Sequence, residues 1–266
     1  MLGETQKQLI IIGGAEDKQG DCEILWKFVQ RSGGTESRIV VMTVATRYPK
    51  EVGEKYTKIF QRLGSQDVQV VDTAVREDAY ATNALEAIER ATGVFFTGGN
   101  QTRITDLLKD TELEAVLHQR FSQGLVVAGT SAGAAMIPDV MIANGEGETN
   151  PRMDVVKLER GMGFLPGVAL NQHFAQGGRL ARLVSALVQQ PAVLGFGIDE
   201  NTAIAIRGNE LDVIGKGAVT VVDVANISHS NIDALLPDEP RALCGVKLHI
   251  LPHGYRFDLA RRLPIG

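Results

Sequence analysis

Cysteine is scarce: Cys22 and Cys244 are the only two in 266 residues. Two thiols cannot staple a secreted scaffold, and neither stands in metal-ligand spacing. A disulfide framework is excluded, and a cytoplasmic protein without metal or other cofactor is expected. Basic charge is not in excess either. With 27 Lys and Arg against 32 Asp and Glu the formal net charge is −5, and no basic stripe exists to neutralise phosphates, so no nucleic-acid partner is expected. Long apolar runs are missing. Nothing approaches the roughly 18 residues of a membrane span, and Leu9 to Ile12 is too brief for the apolar core of an export signal, so no membrane partner is expected. No linker, repeat or compositional shift marks a boundary. At about 150 residues per domain the length allows one large domain or two small ones, and the uniform chain favours a single domain over 1–266. What is abundant is glycine: 29 of 266 residues, where ordinary usage is about 7%.

The apolar pattern alternates. Short β-branched runs recur at Leu9 to Ile12, Arg38 to Val44, Val68 to Val71, Gly93 to Phe96, Gly124 to Ala128, Gly167 to Leu170 and Val193 to Ile198. Between most of them lie amphipathic stretches of helical length: Asp21 to Arg31, Val52 to Leu63, Leu85 to Arg90, Thr111 to Phe121 and Arg179 to Gln189. Continuous apolar strands separated by helices imply an α/β fold of three layers, a mostly parallel central sheet with helices on both faces. From about 202 to 258 the pattern turns antiparallel. Turns at Arg207-Gly208-Asn209 and Gly215-Lys216-Gly217 and a further strand at Lys247 to Leu251 predict a C-terminal antiparallel addition. The polar, turn-rich stretch Ile142 to Asp154, with Glu146 and Glu148, is expected to be a loop that meets substrate or simply solvent.

The sharpest chemical signal is Gly129-Thr130-Ser131-Ala132-Gly133. It matches Gly-x-Ser-x-Gly and lies between an apolar strand and a short helical stretch, the setting of a nucleophile elbow. Small neighbours permit the sharp turn, the hydroxyl is left exposed, and the next amide can hold an oxyanion. The alternative is a glycine-rich turn whose serine caps a helix. Of five histidines, His173 stands just past the strand run Val168 to Leu170, at the carboxyl edge where functional groups of parallel sheets gather. Asp199 and Glu200 follow the run Val193 to Ile198 and reach the same edge; either could orient an imidazole. Gly98-Gly99-Asn100-Gln101 follows Val94 to Phe96, so its backbone could supply a second oxyanion amide or could be only a tight turn. The order serine, histidine, acid differs from that of α/β-hydrolases.

These residues resemble the cyanophycinase family, serine peptidases similar in fold to aspartyl dipeptidase and class I glutamine amidotransferase domains. The resemblance is carried almost end to end by LIIIGGAEDK (Leu9 to Lys18), TGGNQTRITDLL (Thr97 to Leu108), GTSAGAAM (Gly129 to Met136), GMGFLPG (Gly161 to Gly167), NQHF (Asn171 to Phe174) and GIDENTAI (Gly197 to Ile204). It implies hydrolysis of β-aspartyl-arginine links in cyanophycin (multi-L-arginyl-poly-L-aspartate) to β-Asp-Arg dipeptides, by a homodimer. It implies Ser131 as nucleophile, His173 as general base and Glu200, in preference to Asp199, as orienting acid. Gly99 and Ala132 would give oxyanion amides, and Gln101, Asn171, Gln172, Arg179 and Arg182 would line the substrate pocket. Three positions depart from the pattern, the least consequential being Asn100 in place of a family aspartate. Aspartate is usual where this chain has Asn171, and an arginine is usual near Gly177-Gly178, so an aspartyl or isoaspartyl dipeptidase is the alternative within the same fold.

Overall fold

The segment Gln8–Ile12 forms β1, and its last four residues are buried. Apolar side chains pointing both ways require cover on both faces of the sheet that contains them. Ile10 and Ile12 pack on one side with Leu25 and Phe28, and Leu9 and Ile11 on the other with Ile104 and Leu117. The computed structural model describes residues 7–145, 150–152, 154–231, 239 and 242–266.

Around β1 lies a nine-stranded sheet. On one side of it run β5 (Val126–Thr130), β4 (Gly93–Phe96), β2 (Arg38–Met42) and β3 (Asp67–Val71), every neighbouring pair parallel. On the other side come β10 (Thr202–Arg207), β11 (Glu210–Gly215), β16 (Arg256–Asp258) and β17 (Leu263–Ile265), every neighbouring pair antiparallel. One face is covered by α1 (Glu23–Arg31) and α2 (Pro49–Arg62). Their Phe28 and Phe60 close on Phe95 of β4 with ring centroids 5.6 and 5.3 Å away, aromatic burial of the kind worth about 1.5–3 kcal/mol per side chain. The other face is covered by α3 (Thr82–Arg90), α4 (Gln101–Leu108), α5 (Glu112–Ser122) and the short α6 (Ala132–Ala135). The Asn100 and Thr111 side chains cap α4 and α5 by accepting the Thr102 and Glu114 amides.

Two expectations are corrected. The runs at 168–170 and 193–198 do not extend the central sheet. As β8 (Val168–Gln172) and β9 (Leu194–Ile198) they join β12 (Ala218–Asp223) and β15 (Lys247–Pro252) in a separate four-stranded sheet. One face of that sheet, with Leu170, Phe196 and Val221, packs toward the central sheet. Its other face, with Ala169 and Val222, is covered by α7 (Leu180–Gln189) and by a ribbon of β6 (Val140–Gly145) and β7 (Val156–Arg160). The C-terminal half therefore has a fourth layer. The βαβ unit β8-α7-β9 fixes two parallel neighbours, and either a helix or a second sheet can cover the face they leave, so the apolar pattern is the same in both cases. The second correction is the stretch 142–154, whose first residues belong to β6. A register shift between Ile142 and Asn144 breaks the strand alternation that would have marked it. Glu146 and Glu148 lie outside the described residues.

Two-residue strands β13 (His229–Ser230) and β14 (Leu243–Cys244) pair as a small ribbon. No helix among the described residues is long and apolar enough to cross a membrane.

Candidate active site

Where β5 passes into α6, Ser131 takes φ 52° and ψ −112°. For a non-glycine residue this backbone costs about 1–3 kcal/mol and persists only where neighbours enforce it. Here the Ser131 amide donates to Ile12 O at 3.1 Å, and its carbonyl accepts the Ala134 and Ala135 amides at 3.0 and 2.9 Å. The flanking glycines are required by close backbone approach. A Cβ on Gly129 would lie 2.0 Å from Gly133 O, and one on Gly133 would lie 2.2 Å from Phe96 O. The turn aims the hydroxyl outward, where Ser131 Oγ meets His173 Nε2 at 2.9 Å.

His173 follows β8 directly, with φ 50°, and its amide donates to Gly13 O at 2.8 Å. β8 and β9 run parallel with Gln172 opposite Ile198, so residues 173 and 199–200 leave the sheet at one edge. His173 Nδ1 lies 2.7 Å from Glu200 Oε1. Asp199 is otherwise engaged: its two oxygens accept the Ala175 and Ala218 amides, each at 3.0 Å. The sequence left two acids open, and the one at the ring is Glu200. The Glu200 amide in turn donates to Gln176 Oε1 at 3.0 Å, and the next amide, Asn201, to Gly14 O at 2.8 Å.

The loop after β4 passes beside the serine. A Cβ on Gly98 would lie 3.5 Å from Ser131 Cβ. Gly99 has φ +147°, and a Cβ there would collide with Ala45 O at 2.0 Å, so the loop hugs Ala45 and leaves Gly99 exposed. The Ala132 amide opens α6, where no carbonyl of the helix can accept it.

Four of the remaining residues named from the sequence, Asn171, Gln172, Arg179 and Arg182, are linked to one another close to His173. Asn171 is 1% exposed; its Nδ2 donates to Arg179 O at 3.1 Å and its Oδ1 accepts Arg182 Nη1 at 3.2 Å. Arg179 donates to Gln172 O at 2.7 Å. Arg182 is buried, and no hydrogen-bond partner meets its Nε or the Nε2 of buried Gln172 among the described residues. Burial, reinforced by the neighbouring Arg179 charge, pulls the Arg182 guanidinium down to about 10. Burial also lowers Arg179, against the pull of Glu200. The result is a cluster of donors with two cations. Gln101 stands apart, its Nε2 spent on Ala143 O at 2.6 Å, where it fastens α4 to β6. A groove of about 790 Å³ between Trp26, Arg31, Glu210 and Arg256 lies elsewhere and holds none of these groups.

A serine with an imidazole and a carboxylate in line is the arrangement of acyl-transfer hydrolases, and sequence comparison agrees. Residues 9–214 match Peptidase family S51. The chain belongs to that family. It is a peptidase, and hence a hydrolase. It is 39% identical over 260 residues to a cyanophycinase of Trichormus variabilis (strain ATCC 29413 / PCC 7937), covering 97% of this chain and 87% of that protein. It is 39% identical over 263 residues to a cyanophycinase of Geminocystis herdmanii (strain PCC 6308), covering 98% and 97%. A crystal structure of a peptidase from an acI-B1 Actinobacterium shares the fold, with a TM-score of 0.71 at 20% identity over 96% of this chain and 98% of that one.

Within this S51 site, Gly177 leaves no room for the side chain that the resemblance leads one to expect nearby. A Cβ there would lie 2.6 Å from Arg179 Nε and 2.9 Å from His173 O. Gly13 and Gly14, a glycine pair that the sequence places at the catalytic edge, hold the backbone and ring of the histidine, whereas Gln176, which holds the turn of the acid, was missed. The Gly13-Gly14 pair directly after an apolar strand was the available signal; Gln176 carried none.

Proposed function

We propose that the chain is a serine-type exopeptidase that degrades cyanophycin to β-Asp-Arg dipeptides through an acyl-enzyme. The observation that carries the mechanism is the line Ser131 Oγ, His173 Nε2, His173 Nδ1, Glu200 Oε1, with contacts of 2.9 and 2.7 Å at its two ends. The curated relatives' shared name, cyanophycinase, supports the substrate.

His173 takes the proton of Ser131 as Oγ attacks the scissile carbonyl, and Glu200 holds the ring and the positive charge it acquires. The amides of Gly99 and Ala132 stabilise the oxyanion. The carbon–nitrogen bond breaks, His173 protonates the leaving amine, and water, deprotonated by His173, then releases the acyl group and restores Ser131. Release of β-Asp-Arg intact requires this cut to fall on the amide joining successive backbone aspartates. The aspartyl-arginine side-chain link survives in the product, which corrects the expectation that this link is the one hydrolysed. Arg179, Arg182 and Gln172 offer donors to a substrate carboxylate.

A second reading, an aspartyl or isoaspartyl dipeptidase, is favoured by one observation. The pocket residue beside the two arginines is the neutral Asn171, whose oxygen is already bonded to Arg182, so among the described residues this cluster offers no carboxylate to a substrate guanidinium. We also propose that the chain is a single domain of class I glutamine amidotransferase-like fold acting as a homodimer in the cytoplasm. Two free cysteines support that compartment, and light scattering tests the dimer.

The purified protein is expected to release β-Asp-Arg from insoluble cyanophycin, with Ser131→Ala abolishing release while circular dichroism is unchanged. Cleavage of short aspartyl dipeptides with cyanophycin left intact would overturn the polymer reading. Full activity of Ser131→Ala would overturn the serine mechanism.

A further inference from the structure

The loop between β1 and α1 contains a carboxylate that the mechanism above does not use. Glu16 is 3% exposed, a costly place for a charge unless it is paired and hydrogen-bonded. Both of its oxygens are engaged. Oε2 accepts the Thr130 hydroxyl at 2.5 Å; Oε1 accepts the Tyr56 hydroxyl, which comes from α2, and lies 2.8 Å from Lys18 Nζ. Burial alone would raise the Glu16 carboxyl, yet Lys18 and the hydroxyl donors together hold it below its ordinary value, so it is ionised. Tyr56 is pushed well above the usual phenol range by burial and by that charge, so it stays a neutral donor.

Thr130 is the last residue of β5 and immediately precedes Ser131. It is 4% exposed, so water does not compete for its hydroxyl. The same short loop meets the other two members of the site. Gly13 O accepts the His173 amide and Gly14 O the Asn201 amide, each at 2.8 Å, and the Asp17 amide donates to Asn201 Oδ1 at 2.8 Å. Ala15, in the middle, has φ 47°, so the loop has no relaxed geometry of its own and depends on its anchors. The residues beside the base and the acid hang from residues 13–17, and the side-chain anchor of that loop to the nucleophile strand is the Glu16–Thr130 bond.

From this geometry we infer that Glu16 is a positioning residue for the reaction: through Thr130 it sets Ser131 in register with the loop that carries His173 and the turn of Glu200. The inference rests on the reading of Ser131 as nucleophile. Glu16 itself touches no substrate.

The test compares four variants of the full chain: Thr130→Val, Glu16→Gln, their double, and Tyr56→Phe. The readouts are kcat, KM, the labelling rate of Ser131 by a fluorophosphonate, and the melting temperature. Thr130→Val keeps shape and removes the hydroxyl that bonds Glu16. It is expected to lower kcat and the labelling rate about tenfold, with KM within about twofold, because misalignment affects the chemical step more than binding. Glu16→Gln keeps one acceptor oxygen but loses the charge, so it is expected to lose no more than Thr130→Val, and the double variant to be no worse than the worse single, since both act on one link. Tyr56→Phe removes the other hydroxyl from the same carboxylate and is expected to lower the melting temperature while leaving kcat within about twofold. Thr130→Val at wild-type kcat, multiplied losses in the double, or an equal kcat loss in Tyr56→Phe would each overturn the proposal. Should Ser131→Ala prove active or wild type fail to label, the nucleophile reading itself fails, which these kcat comparisons do not touch.

Discussion

Gly14 presses on the ring of His173: a Cβ on Gly14 would lie 2.3 Å from Cε1 and 2.5 Å from Nε2. Nε2 is the atom facing Ser131 Oγ at 2.9 Å, so the space beside the imidazole is set by the absence of a side chain. Gly14→Ala must displace the ring, and its φ of +102° adds backbone strain. A displacement near 1 Å is worth about 10²-fold in rate. The variant is expected to lose about that factor in kcat with KM little altered, measured by steady-state release of β-Asp-Arg.

Asp199 and Glu200 are adjacent carboxylates with different duties, and substitution should separate them. Glu200→Gln removes the charge that faces His173 Nδ1 and permits the wrong tautomer, so kcat is expected to fall about 10³- to 10⁴-fold at unchanged stability. Asp199→Asn leaves an NH₂ group against one of the amides of Ala175 and Ala218. The lost bond, exposed at Ala175 and part-buried at Ala218, is worth about 0.5–1.5 kcal/mol. The expected signature is a lowered urea midpoint with a much smaller change in kcat.

Arg182 is a buried cation whose one side-chain hydrogen-bond partner among the described residues is the neutral oxygen of Asn171. A charge so placed is costly to the fold, which supports its proposed role in holding a substrate carboxylate. Arg182→Met fills similar volume without the charge. Its melting temperature is expected to equal or exceed wild type, while KM rises at least about tenfold through loss of a charge-assisted bond to the substrate carboxylate. A fall in melting temperature with KM unchanged would assign Arg182 to the fold instead.

The elbow was legible because its demands are local. Gly129 is imposed by Gly133 O, four residues on, and a pentapeptide carries that information; Gly133 answers instead to Phe96 O on the adjacent strand. The separate sheet was not legible, because Leu170 and Phe196 would be apolar whether α-helices or the central sheet covered them. Asp199 against Glu200 could not be decided by spacing, since both leave β9 at the same edge and only the amides of Ala175 and Ala218 sort them. Glu16 stayed hidden for a related reason: its partners Tyr56 and Thr130 are 40 and 114 residues away.

Asp17 is expected to contribute to the loss of stability in acid. Its carboxylate accepts the amides of Gln19, Gly20 and Cys22 at 3.0, 2.9 and 3.2 Å, and these bonds hold its pKa at about 2 against an ordinary 3.8. A depressed pKa means stability that is fully present above the unfolded value and is lost as pH falls from about 4 through about 2. Asp17→Asn keeps an acceptor but loses the charge, so its urea midpoint is expected to lie below wild type at neutral pH and to converge on it near pH 2. Because the Asp17 amide also reaches Asn201 Oδ1 at 2.8 Å, loosening of this turn is transmitted to the residue after Glu200. The variant's kcat at neutral pH should therefore fall, while Gln19→Ala, which keeps the backbone donor, should leave both curves unchanged. Parallel acid profiles for wild type and Asp17→Asn would show that the acid limit is set by another carboxylate.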